Sequence, residues 1–92
     1  VLHLVGRTAA AARKHRIPAA VCGALAGDLA AVPLLLGLGV GELSVGAAQV
    51  PSVKARVREV SLDACRRLAV EALEATTAAE VRTLLAGWGE AT

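Results

Sequence analysis

Three apolar segments in a fixed order constrain the fold of this chain more strongly than any other feature. Residues 17–22 and 42–45 are short and largely apolar, and residues 29–38 between them are apolar on nearly all faces. Short apolar runs of this kind are typical of strands covered on both faces of a parallel sheet. The sequence therefore predicts a strand–helix–strand unit, whose two strands run parallel and are joined by a right-handed crossover.

Amphipathic helices are predicted on both sides of this unit. Residues 2–16 form the first, which Pro18 ends, and Pro51 begins another. Ser61 is the predicted N-cap of the next helix, and Thr77 with Glu80 forms a capping box for the last. The side chains predicted to face inward are, helix by helix, Leu2, Val5, Ala9 and Ala12; Val50, Val53, Val57 and Val60; Leu62, Cys65, Leu68, Ala69, Ala72 and Leu73; and Val81, Leu84, Leu85 and Trp88.

The predicted order is helix, strand, helix, strand, helix, helix, helix, which is a helix-rich α/β unit. Ninety-two residues suit one small domain. Two parallel strands do not form a stable sheet alone, so we expect residues 1–92 to be a segment of a larger parallel α/β structure.

Composition and charge exclude several function classes. The net charge is +2, and the basic cluster at residues 13–16 has no interleaved aromatic side chains, so nucleic acid is not an expected partner. The charge-free runs 17–27 and 29–41 are shorter than the roughly 20 residues of a membrane span. Two cysteines in apolar surroundings, Cys22 and Cys65, predict buried, reduced thiols in a cytoplasmic protein.

Few residues suggest chemistry by themselves. Cys22 is the last residue of the predicted strand 17–22, where a cysteine is most often a small hydrophobic residue. His3 and His15 lie on the preceding helix, and no Cys or His spacing fits a zinc site. Asp28 is interpreted as a helix cap.

Glycines 37, 39 and 41 superficially suggest a dinucleotide loop. They precede a predicted strand, whereas the dinucleotide fingerprint follows a strand and opens a helix. A cofactor role for them is therefore not expected.

The chain resembles the C-terminal end of enzyme I, the phosphoenolpyruvate–protein phosphotransferase of the bacterial sugar phosphotransferase system. The resemblance covers nearly all 92 residues. Pyruvate phosphate dikinase and phosphoenolpyruvate synthase share the Cys-Gly element. The Leu-Ala-Gly-Asp stretch and the stretch from Pro33 to Gly39 point to the enzyme I branch or to fused multiphosphoryl transfer proteins that contain it. The matching stretches are Cys22-Gly23, Leu25-Ala26-Gly27-Asp28, Pro33 through Gly39, Glu42-Leu43-Ser44-Val45, Pro51 with the basic helix after it, and Ala72-Leu73 leading to Thr76-Thr77.

The resemblance implies a fold and a reaction. The fold is the end of a TIM (β/α)8 barrel, with residues 17–22 as its seventh strand and residues 42–46 as its eighth. In the family, phosphate passes from phosphoenolpyruvate to a histidine on another domain, with Mg²⁺, and the cysteine matching Cys22 protonates the enolate to pyruvate. The Mg²⁺ ligands, the substrate-binding arginines and the phosphorylated histidine would all lie outside this chain, which is expected to be inactive alone.

The resemblance also implies partners. The parent enzyme, meaning the longer polypeptide of which this chain would be a part, would serve a phosphocarrier protein and pair with a second copy in a homodimer. Two positions depart from the family pattern: Ala24 replaces the Glu that usually follows Cys-Gly, and Gly46 replaces a small polar residue. The alternatives are a non-catalytic dimerisation or interaction module, and a fragment of a dikinase or synthase.

Overall fold

The computed structural model describes residues 1–88, and its elements follow the predicted order. Two short 3-10 turns, at Ala24–Gly27 and Ala47–Gln49, follow the first and second strands and were not predicted. The helices are α1 (Leu2–Lys14), α2 (Val32–Gly37), α3 (Val50–Glu59), α4 (Leu62–Glu74) and α5 (Ala78–Gly87), and the strands are β1 (Ala20–Val21) and β2 (Glu42–Leu43).

The two strands pair in parallel, as predicted, but they are shorter than the apolar segments. Ala20 lies opposite Glu42, and the next residue of each strand continues that register. Residue 17 does not join β1 because its N–H donates to Ala12 O at 2.9 Å and so belongs to the end of α1. Pro18, which follows, has no N–H to donate.

We predicted that residues 17–22 are covered on both faces. Within the described part of the chain, residues 1–88, they are not, so this prediction is wrong. Ile17 is 60% exposed, and Ala20 in β1 is also exposed. The reason is that β1 has β2 as its one paired neighbour within the described residues, so its outer edge stays open.

Helix α2 lies at the centre of the structure. Four consecutive residues of it are buried, beginning at Val32, and Pro33 occupies the first turn, where its missing N–H costs no hydrogen bond. The predicted start at Leu29 is too early. Asp28 instead closes a turn, because its Oδ1 accepts from Ala30 N at 3.1 Å and its carbonyl accepts from Ala31 N at 2.9 Å.

The core is the contact between α2 and α4, with α1 and α5 packed against it. Gly37 allows the close approach, since a Cβ at this position would overlap the Cys65 carbonyl. The half-buried side chains that cover this cluster come from α1, α4, α5 and Trp88. The buried cluster consists of Leu34, Leu38, Leu68, Ala69 and Ala72.

Two of the predicted inward faces need correction. Leu62 is 49% exposed and Ala64 is buried instead, because the face of α4 that meets α2 begins at Ala64 and Leu62 lies at the helix end. In α3, Val53 is buried, whereas Val50 and Val57 are exposed, because α3 touches α2 over a short length only.

Both predicted caps are present. Ser61 Oγ accepts from Ala64 N at 3.4 Å, and Thr77 Oγ1 accepts from Glu80 N at 3.1 Å. The Glu80 carboxylate reaches back to Thr76, accepting from its N–H at 2.8 Å and its hydroxyl at 3.1 Å. These hydrogen bonds to the charged form lower the pKa of Glu80.

Candidate active site

Cys22 is the first residue after β1, at the edge where both parallel strands end. Its side chain is exposed, so the prediction of a buried thiol is wrong for Cys22 and correct for Cys65. The difference has a physical cause: Cys65 faces α2 from within α4, whereas Cys22 lies beyond the last paired residue of β1. Burial raises the pKa of the Cys65 thiol, and Arg56 offsets part of that effect.

The chain turns sharply at the residue after the thiol. Gly23 has φ 81° and ψ −165°, a conformation that is essentially restricted to glycine. The 3-10 turn that follows contains Ala26, whose side chain is completely buried and anchors the loop to the core. The sequence Cys-Gly therefore presents the thiol at the start of a loop with a fixed course.

The loop after β2 meets the loop after β1. Ser44 N donates to Val21 O at 2.8 Å, which extends the strand pairing to the point where the loops begin. Farther along, the side-chain amide of Gln49 lies against Gly27. The loop between β1 and α2, residues 22–31, is called the thiol loop below. It is bordered by a second loop at the same edge of the sheet.

Arg56 of α3 holds the far end of the thiol loop. Its Nε donates to Leu29 O at 3.3 Å, and its Nη1 pairs with Glu59 at 3.3 Å. The guanidinium also lies 5.9 Å from the centroid of the Trp88 ring, within the range of a cation–π contact. Its side chain is 17% exposed. No local pattern in the sequence shows that Arg56 contacts the loop before α2, its own helix and Trp88.

The other candidate residues do not gather around the thiol. Neither His3 nor His15 forms a hydrogen bond with Cys22 within residues 1–88. Asp28 closes the turn before α2, where its Oδ1 accepts from Ala30 N. Among the described residues, no group of three or more His, Cys, Asp and Glu side chains could hold a metal ion.

A parallel strand pair with a thiol and two adjoining loops at its carboxyl edge defines an α/β domain of the class that builds its sites at strand ends. The family model described as PEP-utilising enzyme, PEP-binding domain, matches residues 1–62, which include both strands and both loops. The chain belongs to this family of phosphoenolpyruvate-utilising enzymes, and the resemblance seen in the sequence is confirmed.

Named relatives support the same assignment. The chain is 48% identical to a multiphosphoryl transfer protein of Xanthomonas campestris over 84 residues, which are 91% of this chain and 10% of that protein. It is 46% identical to a multiphosphoryl transfer protein of Rhodobacter capsulatus, again over 91% of this chain and 10% of the relative. It is 38% identical to a phosphoenolpyruvate-protein phosphotransferase of Chlamydia trachomatis, over 92% of this chain and 15% of the relative. The chain thus spans about a tenth to a seventh of the length of these relatives.

No helix within residues 1–88 is both long enough and apolar enough to cross a membrane.

Proposed function

We propose that these residues form the C-terminal part of the phosphoenolpyruvate-binding barrel of a phosphoenolpyruvate–protein phosphotransferase, and that Cys22 is its proton donor. The observation that carries the proposal is the exposed thiol of Cys22 directly after β1, where two parallel strands end. Active sites of TIM barrels are built at this edge. The names of the relatives supply the reaction class.

The chemistry assigned to Cys22 is a single proton transfer. When the phosphoryl group leaves phosphoenolpyruvate for a histidine outside this chain, the remaining fragment is the enolate of pyruvate. The S–H bond of Cys22 breaks, its proton bonds to C3 of the enolate, and the products are pyruvate and a thiolate. A thiol suits this step because it is largely protonated at neutral pH yet acidic enough to donate.

The barrel assignment is supported by the open edges of the strand pair. Each strand has one neighbour within residues 1–88, and Ala20 of β1 is exposed. Neighbouring strands of a complete barrel would pair with these edges and cover Ile17, which is 60% exposed here.

The Mg²⁺ of the proposed reaction does not fit a site made from these residues alone. Carboxylate oxygens are its preferred protein ligands, and the described residues bring no suitable cluster together. Asp28, the carboxylate of the thiol loop, already accepts from Ala30 N. The family resemblance places the Mg²⁺ ligands and the substrate-binding arginines outside this chain.

Within a cytoplasmic sugar phosphotransferase relay, the parent enzyme would pass its phosphate to a phosphocarrier protein and act as a homodimer.

The second candidate function is a non-catalytic interaction module. It is favoured by the exposed apolar side chains of residues 1–88, among them Leu4, which is 66% exposed. Ala24, which stands where the family carries a glutamate, is consistent with either function.

The test is pyruvate formation from phosphoenolpyruvate by the native polypeptide that contains these residues, with Mg²⁺ and a phosphocarrier protein supplied. We expect Mg²⁺-dependent turnover by that polypeptide and none by residues 1–92 alone. Absence of turnover from a folded native polypeptide that retains all of its domains would contradict the proposal and favour the interaction module.

A further inference from the structure

A groove runs between α1 and α4, over the end of α2, and within residues 1–88 no side chain fills it. Its walls are α1 from His3 to Arg13 and α4 from Arg66 to Leu73, and Leu38 lies in its floor. The strands and the loops that follow them do not line it. The groove therefore belongs to the helical layer of the structure and is separate from the strand ends that carry the candidate active site.

The inside of the groove is apolar and open to solvent. Val70 of α4 lines it and is 58% exposed, and Ala10 on the opposite wall is exposed as well. Gly6 of α1 lies over the floor, since a Cβ at this position would be in ordinary contact with Leu38 Cδ2, at 3.5 Å. An exposed apolar surface that is bordered by charged side chains is typical of a site for another molecule.

The rim of the groove is basic. Arg7 and Arg13 lie on the α1 side and Arg66 on the α4 side, and none of the residues that line the groove is acidic. Residues 1–27 contain no Asp or Glu, and within residues 1–88 neither Arg7 nor Arg13 forms an ion pair. Arg66 pairs with Asp63 at 3.7 Å, but this pair is exposed and contributes little. The positive charge of the rim is thus available to an acidic partner.

The length and walls of the groove favour a helix as its occupant. From His3 to Arg13, α1 advances about 15 Å, which is roughly three helical turns. Both walls are helices, whose backbone groups are paired within each helix, so an extended peptide in the groove would leave its own N–H and C=O groups unpaired. A helix pairs its own backbone and can present an apolar stripe to an apolar groove.

We propose that the groove between α1 and α4 docks an acidic amphipathic helix of a partner protein. The apolar stripe of that helix packs on Val70 and Leu38. Carboxylates along one edge of the stripe pair with Arg7 and Arg13, and those along the other edge pair with Arg66. This interaction lies beyond the proposed phosphotransfer and does not depend on the role of Cys22.

The test measures the binding of a labelled synthetic peptide to the native polypeptide that contains these residues, by fluorescence anisotropy. The peptide is a helix of about four turns with a leucine stripe flanked by glutamates. One control peptide carries lysine in place of glutamate, and another has the acidic composition shuffled so that the stripe is lost. We expect the acidic amphipathic peptide to bind at least about tenfold more tightly than either control, with an affinity that falls as salt is added.

Variants of the native polypeptide locate the binding site. Val70→Glu places a carboxylate in the apolar contact and should weaken binding of the acidic peptide about tenfold or more. Arg7→Glu reverses a rim charge and should weaken it about fivefold or more. Leu4→Glu and Arg67→Glu make the same changes at exposed side chains of α1 and α4 that do not line the groove, and should bind within about twofold of the native polypeptide. All four side chains are exposed, so these substitutions leave the core intact.

The inference is overturned if the native polypeptide does not bind the acidic amphipathic peptide, or if Val70→Glu binds it as tightly as Leu4→Glu does. Equal binding of the shuffled peptide would mean that the groove recognises charge alone, and equal binding of the lysine peptide would mean that it recognises apolar surface alone. Either result removes the acidic helix as the occupant. Light scattering adds a further outcome: if Val70→Glu halves the mass of the native polypeptide and Leu4→Glu does not, a second copy fills the groove and the proposal is wrong.

Discussion

The N–H of Ser44 donates a 2.8 Å hydrogen bond to the carbonyl oxygen of Val21. Val21 belongs to the last pair of the parallel strands, and Ser44 lies one residue beyond that pair. This bond aligns the points at which both strands give way to loops. Cys22 therefore begins its loop beside the second strand, and farther along the Gln49 amide lies against Gly27. The place of the candidate site thus depends on parallel pairing as well as on the local Cys-Gly pair.

The two cysteines should differ sharply in reactivity. Cys22 is exposed, whereas Cys65 is buried and its pKa is raised by that burial, which lowers its thiolate fraction. Under native conditions we expect iodoacetamide to modify Cys22 first and Cys65 only after denaturant is added. Mass spectrometry of the peptides measures both. Equal rates in the native protein would contradict the placement of Cys65 in the core.

Gly37→Ala should destabilise the chain. The new Cβ would overlap the Cys65 carbonyl, so α2 and α4 must separate, at a cost of about 1–3 kcal/mol or more in the free energy of unfolding. Gly87→Ala is the control, because a Cβ there meets nothing within 4 Å. Its effect should be neutral or stabilising by up to about 1 kcal/mol. Urea unfolding followed by circular dichroism measures the free energy of unfolding of both variants. A similar loss of free energy in the two variants would rule out the close contact between Gly37 and Cys65.

The stability that Glu80 contributes should depend on pH. Its pKa is lowered in the folded chain by hydrogen bonds from Thr76, so the contribution is present above its ordinary value of 4.5 and is lost as the pH falls through the lowered value. Glu80→Gln should therefore reduce the free energy of unfolding at pH 7 and converge with the native chain in acid. Glu71→Gln, on the exposed face of α4, should show no such convergence. If Glu80→Gln lowered the free energy of unfolding by the same amount at every pH, this account of the cap would be contradicted.

The isolated 92 residues should self-associate. The edges of the strand pair are open, and Ile17 is 60% exposed beside them. At about 25 cal/mol per Å² of apolar surface, covering a few hundred Å² is worth several kcal/mol. Light scattering across a dilution series should show a concentration-dependent mass that Ile17→Lys reduces and Ser52→Lys does not. A monomer at all concentrations would mean that these residues close their own core.

Much of the fold follows from local features of the sequence. The apolar segments 17–22 and 42–45 are enough to predict the strands and their parallel pairing, because a helix-length segment lies between them. Ser61 and Thr77 mark helix starts because their hydroxyls accept from N–H groups three residues later. The Cys-Gly pair could also be located at the end of a strand, and this prediction is confirmed.

The features that could not be predicted depend on distant parts of the chain. The burial of Cys22 depends on which elements cover β1, and within residues 1–88 none does so on its outer edge. The bond from Arg56 to Leu29 O spans 27 residues, and the contact of Gln49 with Gly27 is similarly remote in sequence. No periodicity or cap encodes such contacts, since they arise only after the helices pack.

The central claim is that Cys22 donates the proton that converts the enolate to pyruvate, and turnover of the two cysteine variants tests it most directly. In the native polypeptide, at matched folded fraction, Cys22→Ala should lower kcat for pyruvate formation about a hundredfold or more. Cys65→Ala leaves a small cavity in the core and should cost stability while kcat stays within about twofold. Equal loss of turnover in the two variants would contradict the assignment of Cys22 as the proton donor.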